Sequence, residues 1–162
     1  MRLPLFVSFM LLAVTGFSQV DSSIVKFRNA SSLMPPKGYS HVAIVDLGNC
    51  EMIVMSGQVP LDSKGNLVGK DNLAKQADQV FFNIQNIMAE LGGTMDNVIK
   101  IGIYMVDVSQ IQTLRAIRDK YINLEKPPAS TLVEVRKLFR DDVLLEIEAT
   151  AIIPKKGFNA AK

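Results

Sequence analysis

Residues that build metal and redox sites are nearly missing from this chain of 162 residues, which holds one cysteine, Cys50, and one histidine, His41. A solitary cysteine makes no intramolecular disulfide, and one His with one Cys gives none of the common zinc spacings. No metal, and no metal-dependent catalysis, is therefore expected. Cys50 reads as a free thiol buried in a strand. Charge of one sign is lacking too. The 18 Lys and Arg are scattered among 16 Asp and Glu, with no basic run of four and no interleaved aromatics. That distribution draws no nucleic acid by charge. Long uncharged apolar runs are absent except from Leu3 to Val20, behind Arg2. This run falls short of the ~20 apolar residues of a membrane span, and it contains Pro4, Thr15 and Gly16.

The run is instead expected to be a signal peptide over residues 1–18, cut after Ser18, which makes the mature chain exported, periplasmic or secreted, with no membrane contact after cleavage. Residues 19–36 read as an N-terminal extension with an edge strand from Ile24 to Phe27. Residues 37–154 read as one folded domain, and 155–162 as a tail. A composition 48% apolar and 21% charged is that of a globular protein and excludes a disordered one.

Gly48 and Asn49 are turn residues between Val42 to Leu47 and Glu51 to Met55, so a hairpin is predicted. Its second strand runs into Ser56, Gly57, Gln58, Val59 and Pro60, where glycine permits a close backbone approach and proline ends regular pairing. The hydroxyl, amides and carboxamide there suit an anion or a water, and equally a plain strand end. Asp71 or Asn72 caps the next helix, whose Leu73, Ala77, Val80, Phe81, Ile84, Ile87, Met88 and Leu91 recur at helical spacing before Gly92 and Gly93 close it. Val98 to Val106 reads as a strand with Ile99, Ile101, Ile103 and Met105 on one face. Ser109 and Gln112 have capping-box spacing, and Ile111, Leu114, Ile117, Tyr121 and Leu124 mark a second helix with a polar back.

The clearest pattern lies near the C-terminus. Val143, Leu145, Ile147, Ala149, Ala151 and Ile153 alternate with Leu144, Glu146, Glu148, Thr150 and Ile152. Side chains of a strand point alternately to opposite faces, so one face must pack on a core while Glu146 and Glu148 share the other. Ahead of it, Pro127 and Pro128 hold the chain extended, so that Ala129 and Ser130 stand at a defined entrance to another strand. Two helices with single apolar stripes against about six strands predict a two-layer α+β domain, a mixed sheet with both helices on one face. The other face carries Glu146, Glu148, Lys100 and Tyr104 among apolar residues, a mixture suited to a subunit interface in a closed ring.

Gly38-Tyr39-Ser40, Ser56 to Pro60, Lys100, Pro128-Ala129, Val133-Glu134-Val135 and Glu146-Ile147-Glu148-Ala149 together resemble the RidA family of enamine and imine deaminases. The likeness runs from Lys37 to Ile153. It implies a chorismate-mutase-like fold, a homotrimer, no cofactor, and a small-molecule ligand in clefts between subunits. Carried to this chain, the resemblance places Tyr39, Ser56, Gly57, Gln58 and Ala129 along the cleft and makes Glu146 the catalytic residue that positions the attacking water. Active members have an arginine after Pro-Ala that grips the substrate carboxylate, and often a cysteine two residues later. Here those cleft positions are Ser130 and Leu132. Arg136 is about 20 Å along an extended chain from Ser130, leaving Lys37 and Arg28 as candidate replacement cations. The expected function is hydrolytic deamination of a reactive enamine, imine or related small molecule. The alternative is a non-catalytic trimer that binds a small ligand or a protein. Endoribonuclease activity, also attached to relatives, finds no basic stripe or pair of histidines here.

Overall fold

A ten-residue strand, β6 (Leu145–Pro154), forms the middle of the molecule. Its inward residues Leu145, Ile147, Ala149, Ala151 and Ile153 are all buried, as the alternation predicts. The computed structural model describes residues 24–155. The expected signal peptide, the residues just after it and the tail beyond 155 lie outside the described residues. Preceding β6 are β1 (Val25–Arg28), β2 (Val42–Asp46), β3 (Cys50–Gln58), α1 (Leu73–Glu90), β4 (Val98–Met105), α2 (Ile111–Arg118) and β5 (Ala129–Glu134).

The six strands form one sheet in the order β1-β2-β3-β6-β4-β5. All neighbours are antiparallel except β4 and β5, which run parallel. Parallel neighbours need a crossover, and α2 supplies it. The sheet is thus mixed, with two α-helices, as expected. β5 and β6, adjacent in sequence, are not paired: β4 lies between them. Cys50 begins β3 half-buried, at the end of the strand and not in its interior.

Asn72 caps α1 by accepting the Lys75 amide at 3.0 Å. Beyond its end Gly92, at φ +80, lets the chain reverse while the Gly93 amide bonds to Met88 O at 2.8 Å. The predicted stripe packs on the sheet, and Val80, Phe81 and Ile84 are 0% exposed. Each side chain of that size contributes about 1.5–3 kcal/mol by leaving water.

Two expectations are corrected. Asp107 accepts the Ser109 amide and so caps a short 3-10 turn; α2 follows that turn without a side-chain cap of its own and ends at Arg118. Leu124 is therefore 61% exposed and not part of a helical stripe. Tyr121 still packs inward, its ring stacked on Phe81 at 5.4 Å. In β4 an irregularity between Val98 and Lys100 breaks the alternation, so Val98 is buried and Ile99 is 48% exposed.

Candidate functional site

Strand register decides which residues can meet. Tyr104 pairs with Glu146 and Gly102 with Glu148, so β4 and β6 put these groups on the open face of the sheet, away from the buried residues. Lys100 and Ala129 pair in the same row and share that face. The Tyr104 hydroxyl donates to Glu148 Oε1 at 3.2 Å. The charge on Glu148, its hydrogen bond, some burial and Glu146 together raise the Tyr104 pKa. A cavity of about 210 Å³ opens beside this pair, with Lys100 and Thr131 in its wall.

Glu146 is half-buried and accepts no hydrogen bond among the described residues. Burial, and after it the nearby Glu148 charge, raises its pKa. Its carboxylate lies over Gly57 so closely that a Cβ there would overlap Oε1. Gly57 also lines a cavity of about 40 Å³ with Tyr39, His41 and Gln58. Glu146 thus meets Gly57, while Tyr39 and Gln58 share with Gly57 a cavity that Glu146 does not line.

The other expected residues divide. The Ser56 hydroxyl donates to Ser40 O at 2.6 Å, tying β3 to the Tyr39 loop. Gln58 is buried and donates back to Ser56 O at 2.8 Å, so its carboxamide shapes the strand end. Tyr39 is 53% exposed, with its ring edge-on to His41 at 6.1 Å. His41 is held by the Ala30 amide donating to Nδ1 at 3.0 Å, and burial lowers its pKa. It is a neutral anchor for the loop.

Ser130 and Leu132 face the opposite way. They pair with Ile101 and Ile103, which are buried on the helix side of the sheet. There they line a cavity of about 260 Å³ with Leu114, Arg115 and Arg118 of α2. Within one chain, then, Ser130 and Leu132 are separated from Glu146 by the thickness of the sheet. The candidate replacement cations are elsewhere: Arg28 is on β1, at the far edge from β5, and Lys37 is in the loop after it. Arg136 lies beyond the end of β5, not on its face. Sequence reading missed Arg115 and Arg118, which look like a polar helix back. Their signal is that Arg115 follows Ile111 by four residues and Arg118 follows Leu114 by four, which turns both toward β5.

Among the described residues no three His, Cys, Asp or Glu gather as a metal site. Fold and site together define a small α+β protein that sets an unpaired carboxylate on an open sheet face, over a glycine. A family profile described as Endoribonuclease L-PSP matches residues 29–153. The 2-iminobutanoate/2-iminopropanoate deaminase of Escherichia coli is 32% identical over 133 residues, 81% of this chain and 98% of that protein. A RutC family protein of Saccharolobus solfataricus is 36% identical over 101 residues, 62% of this chain and 79% of that one. Among solved structures, RidA from an Antarctic Psychrobacter superposes with TM-score 0.67 at 27% identity, covering 78% of this chain and 98% of its own. Yeast Mmf1 superposes with TM-score 0.70 at 26% identity, covering 81% and 99%. The chain belongs to this family, the RidA family that its motifs resemble.

Proposed function

We propose that this protein is an exported RidA-like hydrolase that deaminates a reactive enamine, imine or related small molecule at a cleft between subunits of a homotrimer. The observation that carries the reading is Glu146, half-buried, unpaired among the described residues and laid over Gly57. A carboxylate whose pKa is raised by burial and a neighbouring charge accepts a proton near neutral pH more readily than an exposed one. In the reaction, Glu146 orients a water and takes its proton as the oxygen adds to the C=N carbon. The nitrogen then gains a proton, the C–N bond breaks, and a carbonyl compound and ammonia leave. An enamine enters the same path as its imine tautomer. The deaminase name of the Escherichia coli relative supports this chemistry.

Separation of Glu146 from Ser130 by the sheet supports the shared cleft, because only a second copy can bring one chain's β5 edge to another's open face. Export rests on the apolar run from Leu3 to Val20. Its test is the N-terminus of the protein recovered outside the cytoplasm, expected at Gln19. A second reading, a non-catalytic trimer binding a small ligand or a protein, is favoured by Ser130 standing where active members carry arginine. The deciding assay is hydrolysis of imines made in place by an amino-acid oxidase. Glu146→Ala is expected to lower the rate at least a hundredfold, as for a lost general base. An inert parent, or a variant as fast as the parent, overturns the hydrolase reading.

A further inference from the structure

We propose that the cation receiving the ligand's carboxylate in this protein is Arg115, carried by α2 and not by β5. The chemical class of the ligand rests on the enamine and imine reading above. The site itself rests on the cavity between α2 and β5.

That cavity, about 260 Å³, is far larger than the ~10–15 Å³ that a single water needs. Ile103, Leu114 and Leu132 give it an apolar floor, and the exposed Ser130 stands at its edge. Two guanidinium groups, Arg115 and Arg118, complete it. Three residues apart, they lie on one face of α2 and repel each other. Arg118 is neutralised locally, with Nε and Nη2 donating to Asp119 Oδ1 at 2.9 and 2.7 Å. Arg115 is not: its side chain makes no hydrogen bond or ion pair among the described residues.

The cavity therefore presents one free positive charge above an apolar floor, with a hydroxyl donor nearby. A carboxylate accepts two parallel hydrogen bonds from a guanidinium and a third from a serine hydroxyl. The floor suits a few methylenes and offers nothing to a polar tail. Serine on β5 and arginine on α2 line the same cavity, so the cation has moved from one wall to the other and the cavity stays suited to an anion. Arg115 is a specificity-determining residue on this account, since it selects the ligand and takes no part in the bond changes at the imine.

The test uses 2-oxobutanoate as probe, with 2-butanone as its uncharged counterpart, in NMR titrations of the chain from Gln19 onward. The parent should bind 2-oxobutanoate, and Arg115→Gln should weaken it at least tenfold while leaving 2-butanone unchanged. The double variant Arg115→Gln with Ser130→Arg should recover binding. Ser130→Asp, which gives Arg115 a partner within the cavity, should weaken binding as Arg115→Gln does. Failure of the parent to bind the probe overturns the proposal, and so does an Arg115→Gln variant that binds like the parent. An Arg115→Gln variant that falls apart into monomers also overturns it, because Arg115 would then be serving an interface. Imine hydrolysis, measured beside the titrations, separates the two readings. Binding that depends on Arg115 without any turnover keeps the anion site and removes the hydrolase. Turnover that ignores Arg115 does the reverse.

Discussion

At Gly57 the missing side chain makes room for the Glu146 carboxylate against the β3 backbone. An added Cβ would meet Glu146 Cδ at 2.7 Å and Cγ at 2.9 Å, and no backbone atom comes as near. The φ of Gly57 is not positive, so alanine fits the chain there. Gly57→Ala should therefore fold with a stability within ~1 kcal/mol of the parent, because a flexible side chain can swing aside. It should also lose at least tenfold in kcat/KM, since even ~1 Å of displacement of a catalytic group is that costly. Thermal melts and imine hydrolysis on one preparation check both halves. The neighbouring charge makes a second prediction. Glu146 has a raised pKa from burial first and from Glu148 second, so the acid limb of its pH–rate profile should lie above the ordinary carboxylate range. Glu148→Gln removes the like charge and should move that limb to lower pH, though not fully to the ordinary range, because burial remains. An unmoved limb would mean that the Glu148 charge does not reach Glu146.

At the scale of elements, the parts fixed by local period are readable from the sequence, and those fixed by a distant partner are not. The stripe of α1 and the alternation of β6 each repeat one period over several turns or residue pairs, and both are buried as read. In β4 a single irregularity before Lys100 turned Ile99 outward, and no repeat announces such a shift. Gln76 and Asn83 were missed for a different reason: they are polar residues within the buried face of α1. Gln76 donates to Asp142 O at 2.8 Å and accepts the Leu144 amide at 2.8 Å, tying α1 to the entry of β6. Asn83 donates to Val59 O at 3.1 Å and Leu61 O at 3.0 Å, which holds the chain leaving β3. Their partners are far away in sequence, so no local pattern marks them. Gln76→Leu keeps the volume and strands a buried amide and a carbonyl, each costing ~1–3 kcal/mol. A loss of about 2–4 kcal/mol in urea unfolding is expected. A loss below ~0.5 kcal/mol would mean that water satisfies those groups.

At the scale of the whole molecule, the open face does not suit a lone chain. Phe27 and Val54 share one row of it and are 70% and 43% exposed, while Val133 in the Tyr104 and Glu146 row is 41% exposed. Apolar side chains beside an ionisable site favour cover by copies of the same chain, which also allows one copy to complete another's site. If Glu146 of one subunit works with Arg115 of the next, an inactive variant and a weakly binding one should repair each other, read as kcat/KM. In equal mixtures of Glu146→Ala and Arg115→Gln, refolded together, a site is whole only when each partner supplies its intact residue. In random closed rings that happens in about one site in four, so about a quarter of parental activity on a carboxylated imine should return. Were both groups to act within one chain, every site would carry one lesion, and mixing would restore nothing. Recovery should also vanish when Val133→Asp is added to both variants, because a carboxylate on the open face beside Glu146 would keep the copies apart. Light scattering should then read one chain mass in place of the three of the proposed homotrimer. Activity that persists in single chains, each carrying one lesion, would mean that Glu146 and Arg115 are not both needed at one site.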